Sequence, residues 1–141
     1  MLWSDFQDTA DRLARGAVEG DWRSAISRTY YAVFHYFREY FLSHGFDVGR
    51  GGQSHFNLYS GLSNCGLTSV AVLGRRVDQL RTDRTKADYN LGTRIDQAYA
   101  LDAVRRGRAV VADFQAHLNS VPASQIVAGV RRHLKSIGRI P

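Results

Sequence analysis

The sequence is short of residues that break or cross-link a chain. Among 141 residues there are two prolines, Pro122 and Pro141, so nothing ahead of Pro122 forbids long helices. A single cysteine, Cys65, excludes an internal disulfide. No run approaches the roughly 18 uninterrupted apolar residues of a membrane helix. The start, Met1-Leu2-Trp3-Ser4-Asp5, lacks the basic and apolar run of an export signal. The expectation is a protein of the reducing cytoplasm with no membrane association. No Cys/His cluster stands at ligand spacing, no paired-carboxylate motif occurs, and no glycine pattern marks a nucleophile elbow; neither metal nor cofactor is expected. Sustained strand alternation, internal repeats and low-complexity tracts are also missing.

What the chain does have is basic charge and apolar periodicity. Nineteen Lys and Arg against 13 Asp and Glu give a net charge of +6, which favours polyanionic partners. The hydrophobic fraction of 44% is enough for one core, and the length fits a single domain over 1–141. Residues 2–15 place Leu2, Phe6, Ala10, Leu13 and Ala14 at helical spacing. Residues 22–43, with Asp21 as cap, carry a broad stripe from Trp22 through Ile26, Tyr30, Val33 and Phe37 to Phe41. That helix holds more aromatic surface than one small core needs, which suggests a partner face and a homodimer. The glycine-rich stretch 45–53 predicts a flexible connection; Gly49-Arg50-Gly51-Gly52 lacks the strand and the Lys-Ser/Thr ending of a phosphate cradle. A short helix 54–62 capped by Ser54 is followed by a helix 68–89 with Val70, Val72, Leu73, Val77 and Leu80 inward. A long helix capped by Thr93 then reaches about Val121, with Gly107 as a place to bend, and a last one covers 123–137. The fold expected is all-α, an up-and-down bundle of four main helices with shorter additions.

Two constellations carry potential chemistry. On the second helix Arg28 and His35 lie seven residues apart, about 10 Å along the axis on one face, with Tyr31 between them. An arginine can hold a phosphodiester while a histidine moves a proton. At the end of the fourth helix Arg81, Arg84 and Asp88 share a face, and Arg84 and Asp88 can pair at i,i+4. There the functional reading is a cationic phosphate site oriented by Asp88, with Tyr89 as a further donor; the bland one is a solvated, salt-bridged helix end. His55, just after the glycine loop, becomes a proton-transfer candidate if it meets Arg28 or Arg84 in space. The run Arg131-Arg132-His133, with Lys135 and Arg139, is a basic helix face able to touch phosphates without reading sequence.

Ser27-Arg28-x-Tyr30-Tyr31-Ala32-x-Phe34, Ser54-His55 and Arg84-Thr85-Lys86-Ala87-Asp88-Tyr89 occur in that order ahead of a long helix. Over about residues 5–120 they resemble a prokaryotic subfamily of the HEPN superfamily, often found beside minimal nucleotidyltransferases. The resemblance implies a helical bundle that dimerises, with residues of both subunits in one cleft. It also implies RNA as substrate, a toxin or defence ribonuclease, and a cognate nucleotidyltransferase as antitoxin. Active relatives carry an Arg, four to six residues, then a His; here Asp88 and Tyr89 stand where that His would follow Arg84. Two activities are therefore open. One is a metal-independent endoribonuclease using Arg84, Arg28, His35 and His55, with substrate held by Arg81, Asp88, Tyr89 and Tyr31. The other is a non-catalytic module that binds RNA, a nucleotide or a nucleotidyltransferase.

Overall fold

The computed structural model describes all 141 residues and contains helices only: α1 (Trp3–Ala14), α2 (Glu19–Ser43), α3 (Gly51–Ser63), α4 (Thr68–Tyr89), α5 (Gln97–His117) and α6 (Ala123–Ser136). No helix is long and apolar enough to cross a membrane. Contacts group the chain into two compact units, Met1–Tyr36 with Val77–Val111, and Phe37–Arg76 with Ala112–Pro141. The helices fall where the apolar periodicity puts them, but several ends differ. α2 begins at Glu19, so Asp21 sits in its first turn rather than capping it. α3 begins at Gly51 behind Arg50, and Ser54 lies inside it, donating its hydroxyl to the Gly51 carbonyl at 2.6 Å. α5 is capped by Asp96, whose carboxylate accepts the Tyr99 amide at 2.8 Å, and not by Thr93. It runs unbroken through Gly107 and ends at His117, short of Val121. Val72, expected inward, is 42% exposed.

In the first unit the core is built largely from small residues. Ala10, Ala14, Ala25, Ile26, Ala87, Ile95, Ala100, Ala103 and Val104 are buried together, with Leu13, Trp22 and Tyr99 packed against them. Small side chains let helix backbones approach closely. At Gly107 of α5 an added Cβ would overlap the methyl of Thr29 on α2. A polar network lies beside this core. Asp83, 4% exposed, accepts hydrogen bonds from the Tyr99 hydroxyl and from Gln79, and an ion pair from Arg106 at 2.8 Å. Burial, with the hydrogen bond to Asp83, pushes the Tyr99 phenol up to about 12.

The end of α4 is fixed by one side chain. The Arg23 guanidinium donates to the carbonyls of Ala87 at 2.9 Å, Asn90 at 3.1 Å and Thr93, and to the Glu19 carboxylate through Nε and Nη2. All five of its N–H donors are thereby used. Glu19 also accepts the Ile95 amide at 2.9 Å. Arg23 thus takes up carbonyls that α4 leaves free at its C-terminus and ties down the turn after it.

The second unit is more aromatic. Phe114 packs edge-on against Phe37 and Tyr40, with ring centroids at 4.8 and 4.9 Å. α2 ends here in a Schellman motif. Gly45 (φ +76°) donates to the Leu42 carbonyl and Phe46 to that of Phe41, and the rings of Phe41 and Phe46 meet at 5.8 Å. α3 packs on α6. An added Cβ on Gly61 would lie 2.7 Å from Val130, and one on Gly129 would overlap the Cys65 carbonyl oxygen. Along α2 as a whole, Tyr30, Phe34, Phe37 and Phe41 are buried and Tyr31, Tyr36 and Tyr40 half-buried. The aromatic surplus expected to form a partner face is therefore mostly taken up within the chain.

Charge is divided unevenly between the units. The second holds eight Lys and Arg against three Asp and Glu, a net +5, whereas the first holds eleven against ten, a net +1.

Candidate phosphate-binding cleft

Seven of the eight residues picked from the sequence lie in the first unit, and six of them line one cleft. An open cleft of about 340 Å³ is lined by Phe6, Ser27, Arg28, Tyr31, His35, Arg84, Asp88 and Tyr89. α2 supplies Ser27, Arg28, Tyr31 and His35 on one stripe, as the period of 3.6 requires. The last turns of α4 supply Arg84 and Asp88 one turn apart, with Tyr89 next to them. α1 adds Phe6.

Both arginines lie against the ring of Tyr31. The guanidinium carbon of Arg28 lies 5.3 Å from its ring centroid and that of Arg84 lies 5.4 Å from it. Arg28 is also 5.3 Å from the Phe6 ring, and Arg84 is 5.5 Å from that of Tyr30. These cation–π contacts restrain two long side chains without neutralising them. The only carboxylate in the cleft is Asp88. Its Oδ2 accepts the Ser27 hydroxyl at 3.1 Å and lies 3.7 Å from Arg84 Nη1, a loose ion pair. Arg28 pairs with no carboxylate, and the buried Nε of Arg84 has no acceptor within the chain. Two guanidiniums thus face one carboxylate, and the Arg84 side chain is only 13% exposed. Partial burial strengthens the pull of such a pair on an anion. His35 lies at the other end of the stripe, half-buried, with its ring 5.1 Å from Phe6 and 6.3 Å from Tyr31. An imidazole there can exchange a proton with a group held by the arginines.

Two residues picked from the sequence are not part of this cleft. Arg81 turns to Asp78, with Nη2 at 2.9 Å and Nε at 3.0 Å, and does not line it. His55 lies on α3 in the second unit, and the first unit's cleft is built without it. Phe6 and Ser27 were assigned no role from sequence. Ser27 carried a signal, as the first residue of the motif that holds Arg28 and Tyr31, whereas Phe6 reads only as one more apolar position of α1. On α6 and just beyond it, basic residues are held by neutral partners. Arg131 donates to the Gly45 carbonyl at 2.8 Å, Arg132 to that of Cys65 at 3.4 Å, and Arg139 lies 4.2 Å from the centre of the Phe56 ring. The ring of His133 meets the Ser60 hydroxyl at 2.9 Å.

Compared with protein-family models, with curated proteins and with solved structures, the chain matches none.

Proposed function

We propose that the chain is a HEPN-type, metal-independent endoribonuclease, the effector of a toxin–antitoxin or defence system, acting on RNA as a homodimer and held in check by a nucleotidyltransferase antitoxin. The observation that carries the chemical part is the placement of Arg28 and Arg84 both against the Tyr31 ring in a cleft that His35 also lines. The two guanidiniums neutralise a phosphodiester and the charge that grows on it as a neighbouring 2′-oxygen attacks. The phosphorus–5′-oxygen bond then breaks, leaving a 2′,3′-cyclic phosphate and a 5′-hydroxyl. This reaction takes one proton from the 2′-hydroxyl and gives one to the leaving oxygen. Each cleft has a single imidazole, and in the homodimer a second chain brings its own His35 to the acid–base chemistry.

The test is cleavage of labelled single-stranded RNA in excess chelator by wild type, Arg28→Ala, Arg84→Ala, His35→Ala and His55→Ala. Loss of about 10²- to 10⁴-fold in His35→Ala, with loss in Arg84→Ala and intact folding by circular dichroism, supports the reading. Loss in His55→Ala alone moves the proton transfer to the second unit. A binding module without catalysis is favoured by one observation: the residues after Arg84 are Asp88 and the exposed Tyr89, not an imidazole. Salt-sensitive RNA binding by a wild type that cuts nothing would establish it.

A further inference from the structure

Phosphate recognition leaves Asp88 unexplained. A carboxylate beside two phosphate-binding arginines repels the ligand they attract, and its pairing with Arg84 at 3.7 Å is too loose to orient that side chain strongly. Yet it is held. Ser27, itself 5% exposed, donates to Oδ2 from the buried side, while the Asp88 side chain remains 31% exposed in the cleft. Both of its contacts within the chain use Oδ2, and Oδ1 accepts no hydrogen bond there. The group is therefore an acceptor of fixed direction that needs a donor. On a polynucleotide the donor that accompanies every phosphate, whatever the base, is the 2′-hydroxyl of ribose. Deoxyribose has none.

Resting on the reading of the cleft as an RNA site, we propose that Asp88 is its ribose-reading residue. Its carboxylate accepts the 2′-hydroxyl of a nucleotide whose phosphate lies on Arg28 and Arg84, so the cleft takes RNA and rejects DNA. The attraction of the two arginines is common to both nucleic acids, whereas the carboxylate opposes both and is compensated only by ribose. Selectivity then comes from a group unfavourable to the wrong ligand as well as favourable to the right one.

Binding is measured by fluorescence anisotropy in a His35→Ala background, where no cleavage intervenes. One short sequence is used as RNA, as 2′-fluoro RNA, which keeps the sugar pucker but removes the donor, and as DNA. The parent should bind RNA about tenfold more tightly than the other two, as one hydrogen bond to a charged acceptor allows. Asp88→Ala should erase that difference by weakening RNA while DNA holds or tightens. Asp88→Asn, whose amide oxygen still accepts, should keep part of it and shows that the fold tolerates the change. Arg84→Ala should weaken all three ligands alike. Equal binding of RNA and 2′-fluoro RNA by the parent, or an undiminished ratio in Asp88→Ala, overturns the assignment. If Arg84→Ala weakens every ligand while Asp88→Ala keeps the ratio, only the role of Asp88 falls. If Arg84→Ala binds all three as the parent does, the cleft is not the RNA site and both readings fall.

Discussion

Replacing Arg23 by methionine should be among the more damaging single changes in the first unit. Its guanidinium, with the side chain 12% exposed, serves three carbonyls and the Glu19 carboxylate. Methionine fills much the same space but donates nothing. A hydrogen bond from a charged group contributes about 1.5–3 kcal/mol, and an acceptor left buried loses most of that. Ala87 is 2% exposed, so its carbonyl is the one water reaches least; Asn90 is exposed and Thr93 half-exposed, and both can be rehydrated. The sum is about 2–3 kcal/mol, or roughly 8–12 °C in Tm for a chain of this size. Lysine offers three donors from one point instead of a planar fork and should recover about half. Urea denaturation followed by circular dichroism measures both. A loss under about 0.5 kcal/mol for Arg23→Met would refute the reasoning, because it would mean that water replaces the arginine at every carbonyl.

Three further outcomes are expected. Gly129→Ala should lower stability by about 1–3 kcal/mol, because its Cβ has to push α6 off the Cys65 carbonyl; the same change at Gly20, where an added Cβ meets nothing within 4 Å, should raise it by about 0.5–1 kcal/mol, and thermal melts of the two variants test the contrast in sign. Asp83→Ala should cost about 2–4 kcal/mol in chemical denaturation, since it takes the acceptor from the Tyr99 hydroxyl and one of two carboxylates from Arg106, which keeps only Asp102, and leaves a buried gap. The hydrogen bond from the Ile95 amide, aided by Arg23, holds the Glu19 carboxyl below its ordinary value of 4.5. The folded form therefore binds that proton less readily than the unfolded one. The stability it brings is full above pH 4.5 and is lost as pH falls through the lowered value, so Glu19→Gln should flatten the acid limb of the stability–pH curve.

How much of this was legible in the sequence depends on how local each cause is. The helices were, because apolar spacing and glycine breaks are local. The starts of α2, α3 and α5 were not, since Glu19, Gly51 and Asp96 are selected by contacts or backbone angles that no helical period reports. Asp21, Ser54 and Thr93 are good caps by type, but tertiary bonds of Arg23 and Glu19 hold the turn in which Thr93 lies. Within the cleft, the stripe of Arg28, Tyr31 and His35 and the pair of Arg84 and Asp88 follow from helical geometry. That both arginines share Tyr31 does not, for Arg84 and Tyr31 belong to different helices far apart in sequence. The same limit hid Phe6, and it left the place of His55 open until the chain was folded.

The uneven division of charge has a kinetic consequence. In the second unit, with its net +5, Arg76 alone among the basic residues pairs with a carboxylate, so the surplus there is not cancelled at short range. Such a field acts on polyanions before any contact forms. At physiological salt it decays over about 8 Å, which confines its pull to the last stage of an encounter. Added salt should then slow the arrival of a polyanion far more than its departure, because departure is governed by contacts already made. How often such a ligand meets this protein is set by the ionic strength around it, whatever the cleft does afterwards.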